Sequence, residues 1–192
     1  FVQGTLRRDG LSSLPEQNRY GTFPGASVGW TISKEGFMSG IQDVVSDLKI
    51  RGSYGKVGNV SIGNYPYLGL YGSAQYGDAN GIAYAQFGND NLKWETSTKY
   101  DVGLDLRLIN NRFGLTVDWF KDDTNDLILD LETPMSLGIP GNSYSANIGA
   151  IQNSGLEFSA DAKILEGEFK WSVSANISFV QNEVKSLVNG QD

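Results

Sequence analysis

The 192-residue chain contains no cysteine and no histidine, so disulfides, thiolate metal sites and histidine-dependent catalytic triads are excluded within it. Acidic residues outnumber basic residues by 22 to 15, and the resulting net charge of −7 argues against a nucleic-acid partner. No apolar run approaches the roughly 18 residues that a transmembrane helix needs. We therefore expect a protein that is not an enzyme and that has no cofactor, no metal site and no transmembrane helix.

What the chain does have is alternation of apolar and polar residues. The clearest run extends from Phe169 to Phe179, where every odd position is apolar and every even position is polar. Successive side chains of a β-strand point to opposite faces, so this strand has one apolar and one polar face. Its apolar side spans about 30 Å along the strand, or about 25 Å after a 40° tilt, which is the height of the lipid-facing band of an outer-membrane barrel.

Seven segments follow this pattern, and charged residues such as Asp105, Arg107 and Asp161 lie on the polar side. The segments are residues 1–8, 26–33, 48–54, 100–108, 113–119, 156–164 and 169–179. We predict an all-β fold in which these antiparallel strands form part of a larger transmembrane barrel. Alternation alone fits a soluble β-sandwich equally well.

The connections between the segments favour the barrel. Asn110-Asn111 and Glu166-Gly167 are predicted to form tight hairpin turns, because they contain residue types that tolerate positive φ, whereas 58–93 and 122–153 are long. Outer-membrane barrels combine short periplasmic turns with long outer loops, so 9–23, 58–93 and 122–153 would all lie outside the cell. Seven strands are too few to close a barrel, and the remaining strands must come from other sequence.

Two further patterns bear on the architecture. Aromatic residues cluster at strand ends, as in the interfacial girdles of barrels. They are Phe113, Trp119, Trp171 and Phe179. In the connection 34–46, Phe37, Ile41 and Val44 or Val45 recur at helical spacing, which predicts one or two amphipathic turns.

Short motifs occur in a fixed order along most of the chain. They are Arg19-Tyr20-Gly21-Thr22-Phe23-Pro24, Gly29-Trp30-Thr31-Ile32-Ser33, Phe37-Met38, Ser46 to Gly55, Gly58-Asn59, Ile62-Gly63-Asn64-Tyr65, Asn91 to Thr96, Gly103-Leu104-Asp105, Asn147-Ile148-Gly149 and Asn153 to Phe158. In this order and spacing they resemble the SusC/RagA family of TonB-linked outer-membrane transporters. The resemblance corresponds to the later part of the family's barrel.

The resemblance implies a 22-stranded barrel with an internal plug, embedded in the lipid of the outer membrane. It implies import of oligosaccharides or peptides, driven by TonB and shared with a SusD-like surface lipoprotein. We expect residues 1–192 to lie wholly in the barrel domain, to lack a signal peptide, and to exclude the N-terminal extension, the TonB box, the plug and the closing strand. A passive or structural barrel and a soluble carbohydrate-binding β-domain remain as alternatives.

Candidate binding residues are concentrated in the connection 58–93. Its five tyrosines could stack on sugar rings of a substrate, or they could pack the loop or contact the partner lipoprotein. They are Tyr65, Tyr67, Tyr71, Tyr76 and Tyr84.

Three other groups of residues are candidates for a metal site, a binding site or a lining of the barrel lumen. Asp122, Thr124 and Asp126 have the spacing of a calcium loop, but Leu127 replaces its glycine, so a solvated loop is favoured. Trp94-Glu95 is predicted to begin a strand and to anchor it at the membrane interface. The polar-face residues are predicted to face the lumen, where they could line the transport path or hydrogen-bond to the plug. The plug is favoured, since buried charges need partners. These polar-face residues are Asp101, Asp105, Asp118, Glu157, Asp161 and Lys163.

Overall fold

A computed structural model describes residues 1–187, with the side chain of Tyr76 outside the described part. Nine strands make up most of it. They are β1 (Val2–Gly10), β2 (Tyr20–Thr31), β3 (Val45–Asn59), β4 (Leu70–Tyr76), β5 (Ala79–Gln86), β6 (Glu95–Leu108), β7 (Phe113–Glu132), β8 (Ser143–Glu166) and β9 (Lys170–Ser186). Within residues 1–187, no helix has the length and apolar character needed to cross a bilayer.

Seven of these strands form one antiparallel sheet in the order β1-β2-β3-β6-β7-β8-β9. Each of the seven segments predicted from alternation overlaps one of these strands, and each strand pairs with the next one in that order. Phe1, Ile32, Ser33 and Phe169 were included in the predicted segments but lie outside the strands. The prediction of seven antiparallel strands is therefore confirmed. Strands β4 and β5 form a separate hairpin, which was not predicted and which lies within the long connection between β3 and β6.

The apolar side chains of the sheet are uncovered. Val2 is 84% exposed, Leu6 is 75% exposed, and Ile177 in β9 is 54% exposed. The few buried apolar side chains are Leu14, Phe23, Met38, Leu92, Ile139 and Ala146. Since most of these lie in connections or near strand ends, the sheet itself has no hydrophobic core of the kind that holds a water-soluble domain together.

The short connections differ in part from the predictions. The turn at Asn110-Asn111 has positive φ, as predicted, and Ile109 shares that conformation with a φ of 52°. Neither Glu166 nor Gly167 has positive φ, because the chain reverses over the three residues between β8 and β9 instead of in a two-residue turn.

Residues 34–46 do contain short helical turns, but these are 3₁₀ turns and the buried face differs from the prediction. The turn Gly36–Ile41 buries Met38, while Phe37 and Ile41 are 71% and 48% exposed. A 3₁₀ turn repeats every three residues, so the positions selected at α-helical spacing do not share its inner face.

The predicted loop 122–153 is mostly strand. β7 continues to Glu132 and β8 starts at Ser143, so the connection shortens to residues 133–142. This connection meets the other two long connections at one end of the sheet. Its 3₁₀ turn Pro140–Asn142 contacts β5, and Asn89 donates a hydrogen bond to the carbonyl of Ser145 at the start of β8 at 2.9 Å. Asn18, in the connection between β1 and β2, donates to the Leu92 carbonyl at 3.0 Å.

Candidate functional site

The polar face of the sheet carries a set of ion pairs centred on Arg51 of β3. Its guanidinium donates to Asp101 at 3.2 Å and to Asp105 at 3.3 Å on β6, and it also reaches Asp118 on β7. Thr116 donates to the other oxygen of Asp105 at 3.2 Å. One arginine therefore joins three strands and balances part of the negative charge of three carboxylates.

Arg51 can reach β7 because the strand between carries a glycine. Arg51, Gly103 and Asp118 are in register on β3, β6 and β7. A Cβ atom at Gly103 would collide with both the guanidinium and the Asp118 carboxylate. The absence of a side chain at Gly103 thus opens the path for a cross-strand ion pair, which is a use of glycine where another group approaches the backbone closely.

The same arrangement recurs one strand further along. Arg107, Gly114 and Asp161 are in register on β6, β7 and β8. One guanidinium nitrogen of Arg107 donates to both oxygens of Asp161, at 2.9 and 2.8 Å, and a Cβ at Gly114 would collide with both partners. We call the two arrangements the arginine–glycine–aspartate rows.

These rows revise the prediction that the polar-face charges need the plug as partner. Asp101, Asp105, Asp118 and Asp161 find arginines within the sheet itself. The two remaining predicted residues also have local partners. They are Glu157, which accepts from Ser178 at 3.5 Å, and Lys163, whose ammonium lies 3.6 Å from Glu166. Sequence reasoning named the aspartates but missed Arg51 and the two glycines.

The residues proposed as a calcium loop lie in β7, not in a solvated loop. Asp122 accepts from Ser97 and lies 3.1 Å from the Lys99 ammonium, and Asp126 lies 3.0 Å from Lys93. Within the described residues no group of three or more metal-ligating side chains is arranged to hold a metal ion. Each of these two aspartates is therefore paired with a lysine.

The rim where the long connections meet is held by side-chain amides and carboxylates. Asn147 accepts from the Lys93 amide at 2.9 Å and donates to the Lys93 and Asp126 carbonyls at 2.9 and 2.7 Å. Glu95 accepts from Asn59 at 2.7 Å and from the Ile128 amide at 2.8 Å. This rim fixes the connection between β3 and β6 to β7 and β8.

Trp94 directly precedes β6, as predicted. Its ring packs edge-to-face on the buried Phe23 with centroids 5.5 Å apart, and its indole N–H donates to the Arg19 carbonyl at 3.3 Å. Trp94 therefore anchors the start of the strand to the connection between β1 and β2.

The candidate tyrosines fall into two pairs. On the β4–β5 hairpin, Tyr71 and Tyr84 stack with ring centroids 4.6 Å apart and planes inclined by 29°. Hydrogen bonding with the Tyr84 hydroxyl raises the pKa of the Tyr71 phenol. Tyr65 and Tyr67 meet edge-to-face at 6.3 Å. The side chain of Tyr76, the fifth candidate, lies outside the described part of the structure.

Further aromatic residues connect the hairpin to the sheet. Tyr84 contacts Phe87 at 5.9 Å, and Phe87 contacts Tyr144 in β8 at 5.2 Å. The hairpin is exposed along this path: Tyr71 is 64% exposed and Ile82 is 80% exposed. The arrangement can present aromatic faces and hydroxyl groups to a ligand, which suits binding.

Comparison with known proteins identifies the architecture. The family described as TonB dependent receptor-like, beta-barrel matches residues 2–192. TonB-dependent receptor P3 of Formosa agariphila is 38% identical over 98% of this chain, and TonB-dependent receptor SusC of Bacteroides thetaiotaomicron is 36% identical over 98% of it. The chain spans 19% of the length of each of these relatives.

Solved structures agree with the sequence relatives. The RagAB peptide transporter superposes with a TM-score of 0.87 and 29% identity, covering 99% of this chain and 21% of the other. The siderophore receptor PirA of Pseudomonas aeruginosa superposes with a TM-score of 0.62 at 18% identity, which shows the fold alone. The alternation of apolar and polar residues is therefore that of a barrel wall and not of a soluble β-sandwich. The chain belongs to the TonB-dependent receptor β-barrel family, whose members are transporters of the outer membrane.

Proposed function

We propose that residues 1–192 form part of the barrel wall of a TonB-dependent importer that takes oligosaccharides or peptides across the outer membrane. The observation that carries this proposal is the two-faced sheet, whose uncovered apolar face suits lipid and whose superposition on the RagAB peptide transporter covers 99% of the chain. The relative named SusC points to the same class of receptor. A SusD-like surface lipoprotein is the proposed partner.

The rest of the barrel is proposed to come from other parts of the same protein. Within the described residues, β1 and β9 each pair on one side only, and an open strand edge in lipid would leave backbone groups without hydrogen bonds. We propose a barrel of 22 strands in total, with the plug, the N-terminal extension, the TonB box and the closing strand outside residues 1–192. TonB would then act on the plug and not on these strands.

The tyrosine pairs are proposed to contact the imported ligand. Tyr71 and Tyr84 on the hairpin, together with Tyr65 and Tyr67 at its base, lie at the end of the sheet where the long connections meet. Aromatic faces can stack on sugar rings and on the side chains of peptides, and the hydroxyls beside them can hydrogen-bond to the same ligand. Tyr76 completes the proposed set.

The orientation of the wall is proposed from its connections. The ends of the long connections at the rim would face outward, and the turn at Asn110-Asn111 would face the periplasm. A protease site inserted between residues 136 and 139 should be cleaved on intact cells, while one inserted at Asn110-Asn111 should be protected. The opposite pattern would invert the proposed orientation.

The function is tested on the full-length parent protein in its native host. We expect the protein to fractionate with the outer membrane as a heat-modifiable barrel, to co-purify with a surface lipoprotein, and to support uptake that stops when TonB is deleted. Uptake that continues without TonB would indicate a passive barrel and overturn the proposal. A parent protein found in the soluble fraction would overturn it as well.

A further inference from the structure

On the apolar face of the sheet, each strand changes from apolar to polar side chains before it reaches the rim. On β3 the apolar side chains of this face run from Val45 to Tyr54, and the next residue of the same face towards the rim is Lys56. Val45 and Tyr54 are about 30 Å apart along the strand, or about 23 Å in height at a tilt of about 40°, which is close to the lipid-facing band of a barrel. Lys56 therefore lies at the level of the lipid head groups.

The first polar residue of this face on each strand, counted towards the rim, belongs to what we call the boundary row. The row consists of Arg8, Thr22, Lys56, Thr98, Lys121, Ser154 and Gln181. Neighbouring strands reach it in register, because Arg8 is opposite Thr22 and Lys56 is opposite Thr98. The row contains three cations and no carboxylate, although the whole chain carries a net charge of −7.

Two cations of the boundary row lie beyond ion-pair distance of every carboxylate within residues 1–187. They are Arg8 on β1 and Lys56 on β3, which are separated by β2. The third cation, Lys121, is paired with Asp123 at 2.8 Å. The guanidinium of Arg8 lies over the Tyr20 ring, 4.8 Å from its centroid, and this contact leaves the N–H groups at the guanidinium edge free to donate.

Strands β2 and β3 part beside these two cations. Their pairing extends only as far as Gly25 and Gly55, although both strands continue beyond these residues. The ring of Phe23 fills the parting and is only 5% exposed. A cavity of about 240 Å³ lies against this ring, and the strand register places four of its lining residues on the apolar face. They are Tyr20, Thr22, Lys56 and Thr96.

The side chains around this cavity favour an anion. Among the lining residues that the structure describes, the one carboxylate is that of Asp126, and the ammonium of Lys93, also in the lining, lies 3.0 Å from it. Lys56 is left as the uncompensated charge of the cavity. Arg8 adds a second positive charge at its edge, because it is in register with Thr22 and lies over Tyr20.

We propose that this cavity binds the phosphate of an anionic lipid head group, with Lys56 and Arg8 as its charged ligands. The proposal rests on the proposed function, because it requires the apolar face to lie in the bilayer. Lysine and arginine form charge-assisted hydrogen bonds with phosphate oxygens, and basic pockets at a membrane surface hold anionic head groups. The hydroxyls of Thr22 and Thr96 are available for the remaining oxygens.

The position of the cavity favours a lipid over a soluble phosphate compound. Tyr54 and Tyr100 are the last apolar residues of this face below Lys56, their ring centroids are 5.4 Å apart, and they are 37% and 40% exposed. Acyl chains attached to a phosphate in the cavity would continue over these rings and along the uncovered apolar face. The site therefore joins a charged head group to an apolar surface in one ligand.

The test uses the purified full-length parent protein in nanodiscs of phosphatidylcholine with phosphatidylglycerol as the minor lipid. Both lipids carry a phosphate, but only phosphatidylglycerol has a net negative charge. Native mass spectrometry counts each lipid that stays bound when the protein is released from the nanodisc. Glycerol phosphate, which has the charged group but no acyl chains, is added as a soluble competitor.

The test variant is Arg8→Gln with Lys56→Gln. Its matched control is Arg7→Gln with Lys49→Gln, which removes one arginine and one lysine from the same two strands but on the polar face. A second variant, Arg8→Lys with Lys56→Arg, exchanges the two side chains and keeps both charges. The heat-modifiable mobility of each variant verifies that the barrel is folded before lipid is counted.

We expect the unaltered protein to retain phosphatidylglycerol in preference to phosphatidylcholine. The Arg8→Gln/Lys56→Gln variant should retain about tenfold less phosphatidylglycerol, the loss that corresponds to one charge-assisted hydrogen bond. The control and the charge-retaining variant should behave like the unaltered protein. Glycerol phosphate should displace the lipid poorly, because it cannot cover the apolar face.

The outcomes that overturn the lipid site are separate from those that overturn the importer. The lipid site is overturned if the two lipids are retained equally, if the test variant and the control behave alike, or if glycerol phosphate displaces the lipid completely. Each of these results, obtained with TonB-dependent uptake intact, would leave the proposed importer standing. Uptake that continues without TonB would overturn the importer while leaving the count of bound lipid unchanged.

Discussion

The side chains on the two faces of the seven-stranded sheet differ in whether they find partners within the chain. On the polar face, aspartates of β6, β7 and β8 pair with Arg51 and Arg107 within the same sheet. On the apolar face, side chains such as Val2 and Leu6 have most of their surface uncovered. A water-soluble protein buries the apolar face of a sheet against its own residues. Here that face is exposed, so the surroundings of the sheet, and not the chain itself, must cover its apolar side chains.

The comparison also shows what stabilises the wall. Since much of the apolar face is left exposed by packing inside the chain, its contribution depends largely on lipid. The polar face contributes through backbone pairing and through the two arginine–glycine–aspartate rows, which cross three strands each. Changes on the two faces should therefore differ in size and in kind.

The largest effect is expected from a charge placed on the apolar face. Val173→Arg in β9 should lower the free energy of unfolding of the full-length barrel by about 2–4 kcal/mol, the cost of arginine at the bilayer midplane. Its matched control is Ser174→Arg, whose side chain would lie on the polar face in register with Asp161. Unfolding by urea in lipid vesicles measures both, and equal costs would contradict the assignment of the faces.

A smaller effect on stability is expected when a methyl group is added at the glycine of an arginine–glycine–aspartate row. Gly103→Ala should force Arg51 and Asp118 apart and cost about 1–3 kcal/mol, as overpacking does. Gly55→Ala is the control, because its Cβ would meet no atom within 4 Å. The same unfolding experiment applies. If the two alanine substitutions lower the free energy of unfolding equally, the close approach of Arg51 and Asp118 at Gly103 does not contribute to stability.

The smallest effect on stability is expected at the hairpin, which lies on neither face. Tyr71→Ala with Tyr84→Ala should change the free energy of unfolding by no more than about 0.5 kcal/mol, as for surface positions, yet reduce ligand uptake by the parent protein. Ile82→Ala on the same hairpin is the control, since it removes an exposed side chain without an aromatic ring. Unchanged uptake in the tyrosine variant would remove the hairpin from the proposed ligand contacts.

The sheet could be predicted from the sequence because its signal is local. Alternation in runs such as Phe169 to Phe179 identifies a strand without reference to its neighbours, and consecutive strands usually pair. The hairpin β4–β5 was missed because its glycines, alanines and tyrosines hide the alternation, although Gly77-Asp78, with a φ of 61° at Gly77, is a turn signal of the kind that joins hairpins.

The arginine–glycine–aspartate rows could not be predicted from the sequence because they depend on the register between neighbouring strands. Arg51, Gly103 and Asp118 are separated by 52 and 15 positions in the sequence and meet only once three strands are aligned to the residue. The tyrosines were easier to select, since five of the nine in the chain fall in one connection. That four of them form two pairs of contacting rings could be seen only in the structure.

The length of β8 has a consequence for where a ligand is first met. Its 24 residues measure about 80 Å at 3.3 Å per residue, and about 60 Å in height at a 40° tilt. The lipid-facing band of a barrel is only about 25 Å tall. More than half of the length of this strand is therefore in excess of what the bilayer requires, so the surface lipoprotein proposed above would have to cover an opening that lies well away from the lipid surface.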